Sequence, residues 1–155
     1  MKIYNKMEII NTENPNEARK QIEKFAKENK EVVVQGKSID FNRIILENKK
    51  VNILILQHIN KKDKLKQQDS GLNQVLCNLA KQNNIVLAID FAEILGEEKK
   101  EKAKILARLN QNIKLAKKAK NKVKIINIKD KDKRDIFSFL LTLGMDTKTA
   151  KDAVS

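Results

Sequence analysis

Hydrophobic positions along this chain fall into two alternating patterns. Short continuous apolar runs occur at Val32-Val33-Val34, Val51 to Leu56, Ile85 to Ile89 and Val123 to Ile128. Runs of four to eight residues, rich in Val and Ile, are the pattern of strands buried on both faces. Glu8 to Asn11 adds a short first strand. Between the runs, apolar residues recur every three or four positions, the period of a helix with one buried face. Ala18, Ile22, Phe25 and Ala26 predict a helix from Pro15 to about Asn29, with Asn14 as cap. Ser38 caps a second helix carrying Ile39, Ile44 and Ile45. A third begins at Asp69 or Ser70, lines one face with Leu72, Val75, Leu76, Leu79 and Ala80, and stops at Asn83 or Asn84. The longest runs from Glu97 to Lys120 with a stripe of Ala103, Leu106, Leu109, Ile113 and Ala116. Asp132 or Asp135 starts a helix through Ile136, Phe139, Leu140 and Leu143, Gly144 ends it, and Asp146 to Val154 supplies the last.

Strand and helix therefore alternate, and each connection is long enough for a crossover helix. That arrangement specifies parallel strands joined by right-handed βαβ units. Four or five strands are too few for a complete eight-stranded barrel, which takes about 200 residues or more. The expected fold class is α/β, as an abbreviated (β/α) barrel or an open sheet. With no internal repeat and no low-complexity linker, residues 1–155 read as a single domain.

Composition narrows the chemistry. The one cysteine, Cys77, excludes an intrachain disulfide framework, and the one histidine, His58, excludes sites that gather several His ligands around zinc. Cys77 is expected beside a buried helix face, and His58 as a satisfied or solvated loop residue. No apolar run approaches the roughly 20 residues that span a bilayer. Met1 to Lys6 carries no apolar signal segment, so the expected location is the cytoplasm.

Charge changes the picture most. The formal net charge is +13, with Lys far ahead of Arg. A biased base composition accounts for Lys over Arg but not for the surplus of one sign. That surplus points to a polyanionic partner. Eleven basic residues lie between Glu97 and Lys124 against three acidic ones. Lys104, Arg108, Lys114, Lys117, Lys118, Lys120 and Lys122 are accordingly the residues expected to face RNA or DNA. With five Phe, one Tyr and no Trp, stacking platforms are scarce, so phosphate contact outweighs base reading.

Other candidates carry less. Ser70-Gly71 before a helix is either a plain cap or an anion site of backbone amides, without the glycine spacing of a nucleotide loop. Asp90 ends a buried strand, where α/β folds place functional groups, and with Asp63 and Glu93 it outlines a rival reading: a small metal-dependent phosphoesterase. A general RNA-binding module is a further alternative. No cofactor or metal is called for by any motif.

The stretch Asp69-Ser70-Gly71-Leu72-Asn73, with Val75-Leu76, Leu79-Ala80 and Asn83-Asn84-Ile85, resembles archaeal ribonuclease P protein component 3, the thirty-kilodalton-class subunit of ribonuclease P. The similarity continues through Ile89-Asp90-Phe91, Leu95, Leu106, Asn112, Leu115-Ala116 and Leu143-Gly144-Met145, and covers roughly residues 40 to 155. Where the family commonly has an Arg before Asp-Ser-Gly and a His after the Asn, this chain has Gln67 and Gln74. The resemblance implies a TIM-barrel-like fold without metal-hydrolase chemistry. It also implies a place in the ribonucleoprotein that removes the 5′ leader of precursor tRNA, in which the RNA is the catalyst. It further implies a smaller α/β protein partner, two copies of each, and Asp69, Ser70, Gly71 and Asn73 as the family motif.

Overall fold

The computed structural model describes residues 7–59, 61, 68–96, 98–128 and 131–155. Twelve elements follow one another in the described chain: β1 (Ile9–Ile10), α1 (Pro15–Lys27), β2 (Val33–Gln35), α2 (Ile39–Leu46), β3 (Ile53–Leu56), α3 (Gln74–Gln82), β4 (Val86–Asp90), α4 (Ala92–Leu95), α5 (Lys99–Ala119), β5 (Val123–Ile126), α6 (Lys133–Thr142) and α7 (Thr147–Val154). The five strands form one sheet in the order β1-β2-β3-β4-β5, every pair parallel. A doubly wound sheet would reverse its order at a switch point. Here spatial order equals chain order, which is how strands succeed one another around a (β/α) barrel. The sheet is an arc of such a barrel, and the TIM-barrel-like α/β class expected from the pattern holds.

The period-two alternation divides the strands between two apolar layers. Val34, Leu54, Leu56, Leu87, Ile89, Val123 and Ile125 face outward and join the main core with Ile22, Ile45, Leu76, Leu109, Ile113, Ile136 and Leu140 from the helices. Val33, Ile53, Ile55, Ala88 and Ile126 form a smaller cluster on the other face. Register places Val33 opposite Ile53, and Ile53 opposite Val86. Gly36 follows β2 because its backbone passes so close to β3 that a Cβ there would meet the Ile55 carbonyl oxygen at 2.6 Å.

Local signals account for most helix ends. Asn14 Oδ1 accepts from the Asn16 amide at 3.0 Å, and Ser38 Oγ from the Phe41 amide at 3.2 Å. Asp132 and Asp146 cap α6 and α7 in the same way, at 2.8 Å and 3.1 Å. Asn84 turns left-handed after α3, with φ 54°, and Lys120 after α5, with φ 58°.

Three expectations need correction. α3 begins at Gln74, and its cap is Asn73, whose Oδ1 accepts from Leu76 N at 2.9 Å; neither Asp69 nor Ser70 caps it. Its buried residues are Leu76, Cys77 and Ala80, while Val75 is 56% exposed. The buried stripe of α5 is Ile105, Arg108, Leu109, Asn112, Ile113 and Ala116, and Ala103 is exposed.

Candidate functional site

Two regions collect the residues that the sequence singles out. One lies where β2 and β3 end, at the C-terminal edge of the sheet. The other lies at the opposite edge, where α5 ends and β5 begins.

At the first, the chain leaving β3 sets His58 against α5, 1% exposed. Asn112 Nδ2 lies 3.0 Å from His58 Nε2 and also donates to the Ser70 carbonyl at 3.0 Å. On the other side of the ring, His58 Nδ1 is 3.5 Å from Glu93 Oε2, which also accepts from the His58 amide at 3.1 Å. An Nδ1–H tautomer satisfies both neighbours, because Nε2 then accepts from Asn112. Arg108 donates to the carbonyls of His58 at 3.1 Å and Lys61 at 2.9 Å. The guanidinium that was expected to face RNA is therefore turned inward, and Arg108 is 3% exposed.

This network holds the Asp-Ser-Gly turn. Asp69 Oδ1 accepts from Gly71 N at 2.9 Å, a local turn bond of the kind short carboxylates make. Asn42 Nδ2 donates to the Gly71 carbonyl at 2.9 Å, and Asn42 Oδ1 accepts from Lys37 N at 2.8 Å. Gly71 has φ +81°, and a Cβ on it would meet Lys61 Nζ at 3.2 Å and Asn42 Nδ2 at 3.3 Å. Two asparagines from different helices thus clamp consecutive carbonyls of the turn, and the motif works first as architecture. Lys37, Ser38, Gln57, Lys61 and Asp69 border a hollow of about 470 Å³ beside it. Burial holds the Lys61 ammonium below its usual pKa, against the pull of Asp69 3.8 Å away.

The carboxylates of the rival hydrolase reading have other tasks. Asp90 Oδ1 accepts from Ala92 N at 3.0 Å and from Asn127 Nδ2 at 2.9 Å. Glu93 is bound to His58 as described, and Asp63 lies outside the described residues. Among the described residues, no three His, Cys, Asp or Glu side chains are grouped to hold a metal ion. Cys77 is fully buried, and burial pushes its thiol up to about 11, so it is a packing residue.

At the second region, the expected lysines are exposed: Lys104, Lys114, Lys117, Lys118, Lys120 and Lys122. Lys117, Lys120 and Lys122 border a groove of about 950 Å³, joined there by Lys81, Lys124 and Lys148, which sequence reasoning had not selected. Lys104 instead pairs with Glu101 at 3.3 Å along α5. Lys81 and Lys148 belong to α3 and α7, far from the basic segment in sequence, and only the fold brings them to it. The buried pair Arg108 and Asn112 left a fainter signal: two polar residues one turn apart on a stripe otherwise made of Ile105, Leu109, Ile113 and Ala116.

Comparison with known proteins accords with this architecture. Ribonuclease P protein component 3 of Methanococcus maripaludis strain C7 is 32% identical over 109 residues, covering 70% of this chain and 44% of the relative. The same component of Methanocaldococcus jannaschii is 29% identical over 153 residues, covering 92% of this chain and 61% of the relative. The chain thus spans about half the length of the curated relatives it matches. A chain in the cryo-EM structure of archaeal ribonuclease P with mature tRNA superposes with a TM-score of 0.74 at 28% identity, over 94% of this chain and 62% of that one. Residues 1–155 match the RNase P subunit p30 family throughout, and the chain belongs to that family.

Proposed function

We propose that this chain is a protein subunit of ribonuclease P, supporting the catalytic RNA that removes the 5′ leader of precursor tRNA, without cleaving RNA itself. The observation that carries the reading is the match, over nearly its whole length, to a chain in archaeal ribonuclease P with mature tRNA. The surplus of exposed lysines supports it. Ammonium groups that neutralise phosphate let RNA helices of like charge pack closely, and the counterions they release favour binding. RNA contact comes from a subset of the exposed lysines of the α5–β5 segment, and Arg108 stays within the fold.

The partners are the ribonuclease P RNA, a smaller α/β protein subunit with two copies of each, and precursor tRNA indirectly. The compartment is the cytoplasm; no helix among the described residues is long and apolar enough to cross a membrane. Reconstitution tests the role. Cognate RNA and partner subunit are assayed for precursor-tRNA cleavage with and without this chain. Stimulation is expected. Its absence, or metal-dependent cleavage by the isolated chain that Asp90→Asn abolishes, overturns the proposal.

A further inference from the structure

The groove at the N-terminal edge of the sheet gathers lysines from four elements. Lys81 leaves the last turn of α3, Lys117 and Lys120 the end of α5, Lys122 and Lys124 the start of β5, and Lys148 the first turn of α7. Asp146 and Asp152 are the opposing carboxylates on its wall. Asp146 is engaged as the α7 cap, and its carboxyl sits below the usual range because Thr149 donates to it, with Lys117 adding a smaller pull.

Three of these ammonium groups are held by neutral oxygens. Lys81 Nζ donates to the Lys120 carbonyl at 3.1 Å, Lys117 Nζ to the Gly144 carbonyl at 3.4 Å, and Lys122 Nζ to Asn84 Oδ1 at 3.4 Å. Such contacts fix the positions of the charges without cancelling them. Among the described residues, Lys81, Lys120, Lys122 and Lys148 are in no salt bridge.

Lysines at helix C-termini have an ordinary explanation, since they complement the negative end of the helix dipole. That explanation covers Lys81, Lys117 and Lys120. It does not cover Lys122 and Lys124, which lie at and in a strand. It fails for Lys148, which sits in the first turn of α7, where the dipole disfavours positive charge. Four elements, with no local reason common to all of them, bring positive charge to one groove. Among the described residues no aromatic side chain borders it, so they offer nothing there on which a base could stack.

We infer that this groove is a docking surface for the phosphate backbone of helical RNA, at the opposite edge of the sheet from the Asp-Ser-Gly turn. The inference rests on the RNA-supporting role proposed above. It locates contact in the groove and not along the outer face of α5, where Lys104, Lys114 and Lys118 are exposed.

Two triple variants of the full chain separate these surfaces: K120Q/K122Q/K148Q in the groove and K104Q/K114Q/K118Q on α5. Both remove the same charge at exposed positions, and circular dichroism with thermal melts establishes that both fold. Affinity for the cognate ribonuclease P RNA is measured between about 50 and 200 mM salt, with single-stranded poly(U) as the comparison probe. The groove triple is expected to weaken RNA binding at least tenfold and to flatten the salt slope by about two to three, near 0.9 for each lost phosphate contact. The α5 triple is expected to change affinity by less than about threefold, with poly(U) binding lowered equally by both. Equal losses on the structured RNA, or a larger loss from the α5 triple, overturn the groove. Failure of the unaltered chain to bind the RNA at all is a different result and removes the parent reading with it.

Discussion

Arg108 shows how one residue's role turns on the direction of its side chain. On the linear chain it is one more positive charge in a basic segment. In the fold its guanidinium donates to two carbonyls of the segment leaving β3, 3.1 Å and 2.9 Å away. A buried charge is tolerated only where hydrogen bonds replace water. Arg108→Met keeps the bulk of the stem but leaves the His58 and Lys61 carbonyls without these donors. Unfolding in urea should show a loss of about 2–4 kcal/mol. RNA affinity of the folded variant should fall no more than one exposed charge accounts for. The reverse pattern, intact stability with strongly weakened binding, would return Arg108 to the RNA surface. Asn112 has the same logic: a single amide joins His58 to the Ser70 carbonyl, so a residue that breaks the apolar stripe ties α5 to the turn.

At the scale of elements, the strands were legible because buried parallel strands write themselves as continuous apolar runs, and Val33 to Gln35, Ile53 to Leu56, Val86 to Asp90 and Val123 to Ile126 all lie within or against such runs. Helix faces were less legible. On α5 the rule that polar residues face water pushed the predicted stripe toward Ala103 and Leu106, whereas Arg108 and Asn112 are on the buried side. The start of α3 was ambiguous for another reason. Asp69, Ser70 and Asn73 are all competent caps, and nothing local ranks them. Tertiary contact decides, because Asn42 and Asn112 hold the Ser70 and Gly71 carbonyls in a turn, and the helix starts only beyond it. Asn73→Ala should therefore cost about 1 kcal/mol in denaturant unfolding. Ser70→Ala should cost less than about 0.5 kcal/mol, since among the described residues the Ser70 hydroxyl makes a single long 3.4 Å bond, to the Leu72 carbonyl. If the serine variant were the weaker of the two, the cap would belong where the sequence alone placed it. The groove lysines were hidden for a related reason: Lys81 and Lys148 are local features of separate helices until the sheet order sets α3 and α7 beside β5.

For the whole molecule, the governing quantity is the formal charge of +13. Ion pairs do little to offset it. Those on the surface, such as Lys50–Glu23 at 2.7 Å and Arg43–Glu47 at 3.1 Å, join exposed side chains and contribute little. Self-repulsion of the remaining lysines opposes the compact state whenever no polyanion is bound. Salt acts on both terms, but the long-range repulsion reaches across the molecule, and its screening length shrinks from about 30 Å at 0.01 M to about 10 Å at 0.1 M. The isolated chain should thus become more stable over that range, on the order of 1 kcal/mol, which raises the melting midpoint by about 3 °C. A molecule held together chiefly by its ion pairs would move the other way. Under the proposed role, the salt that steadies the free protein weakens RNA binding, so thermal melts and RNA titrations across one salt series should run in opposite directions. Parallel trends would mean that the positive charge has been balanced within the fold and is not held ready for phosphate.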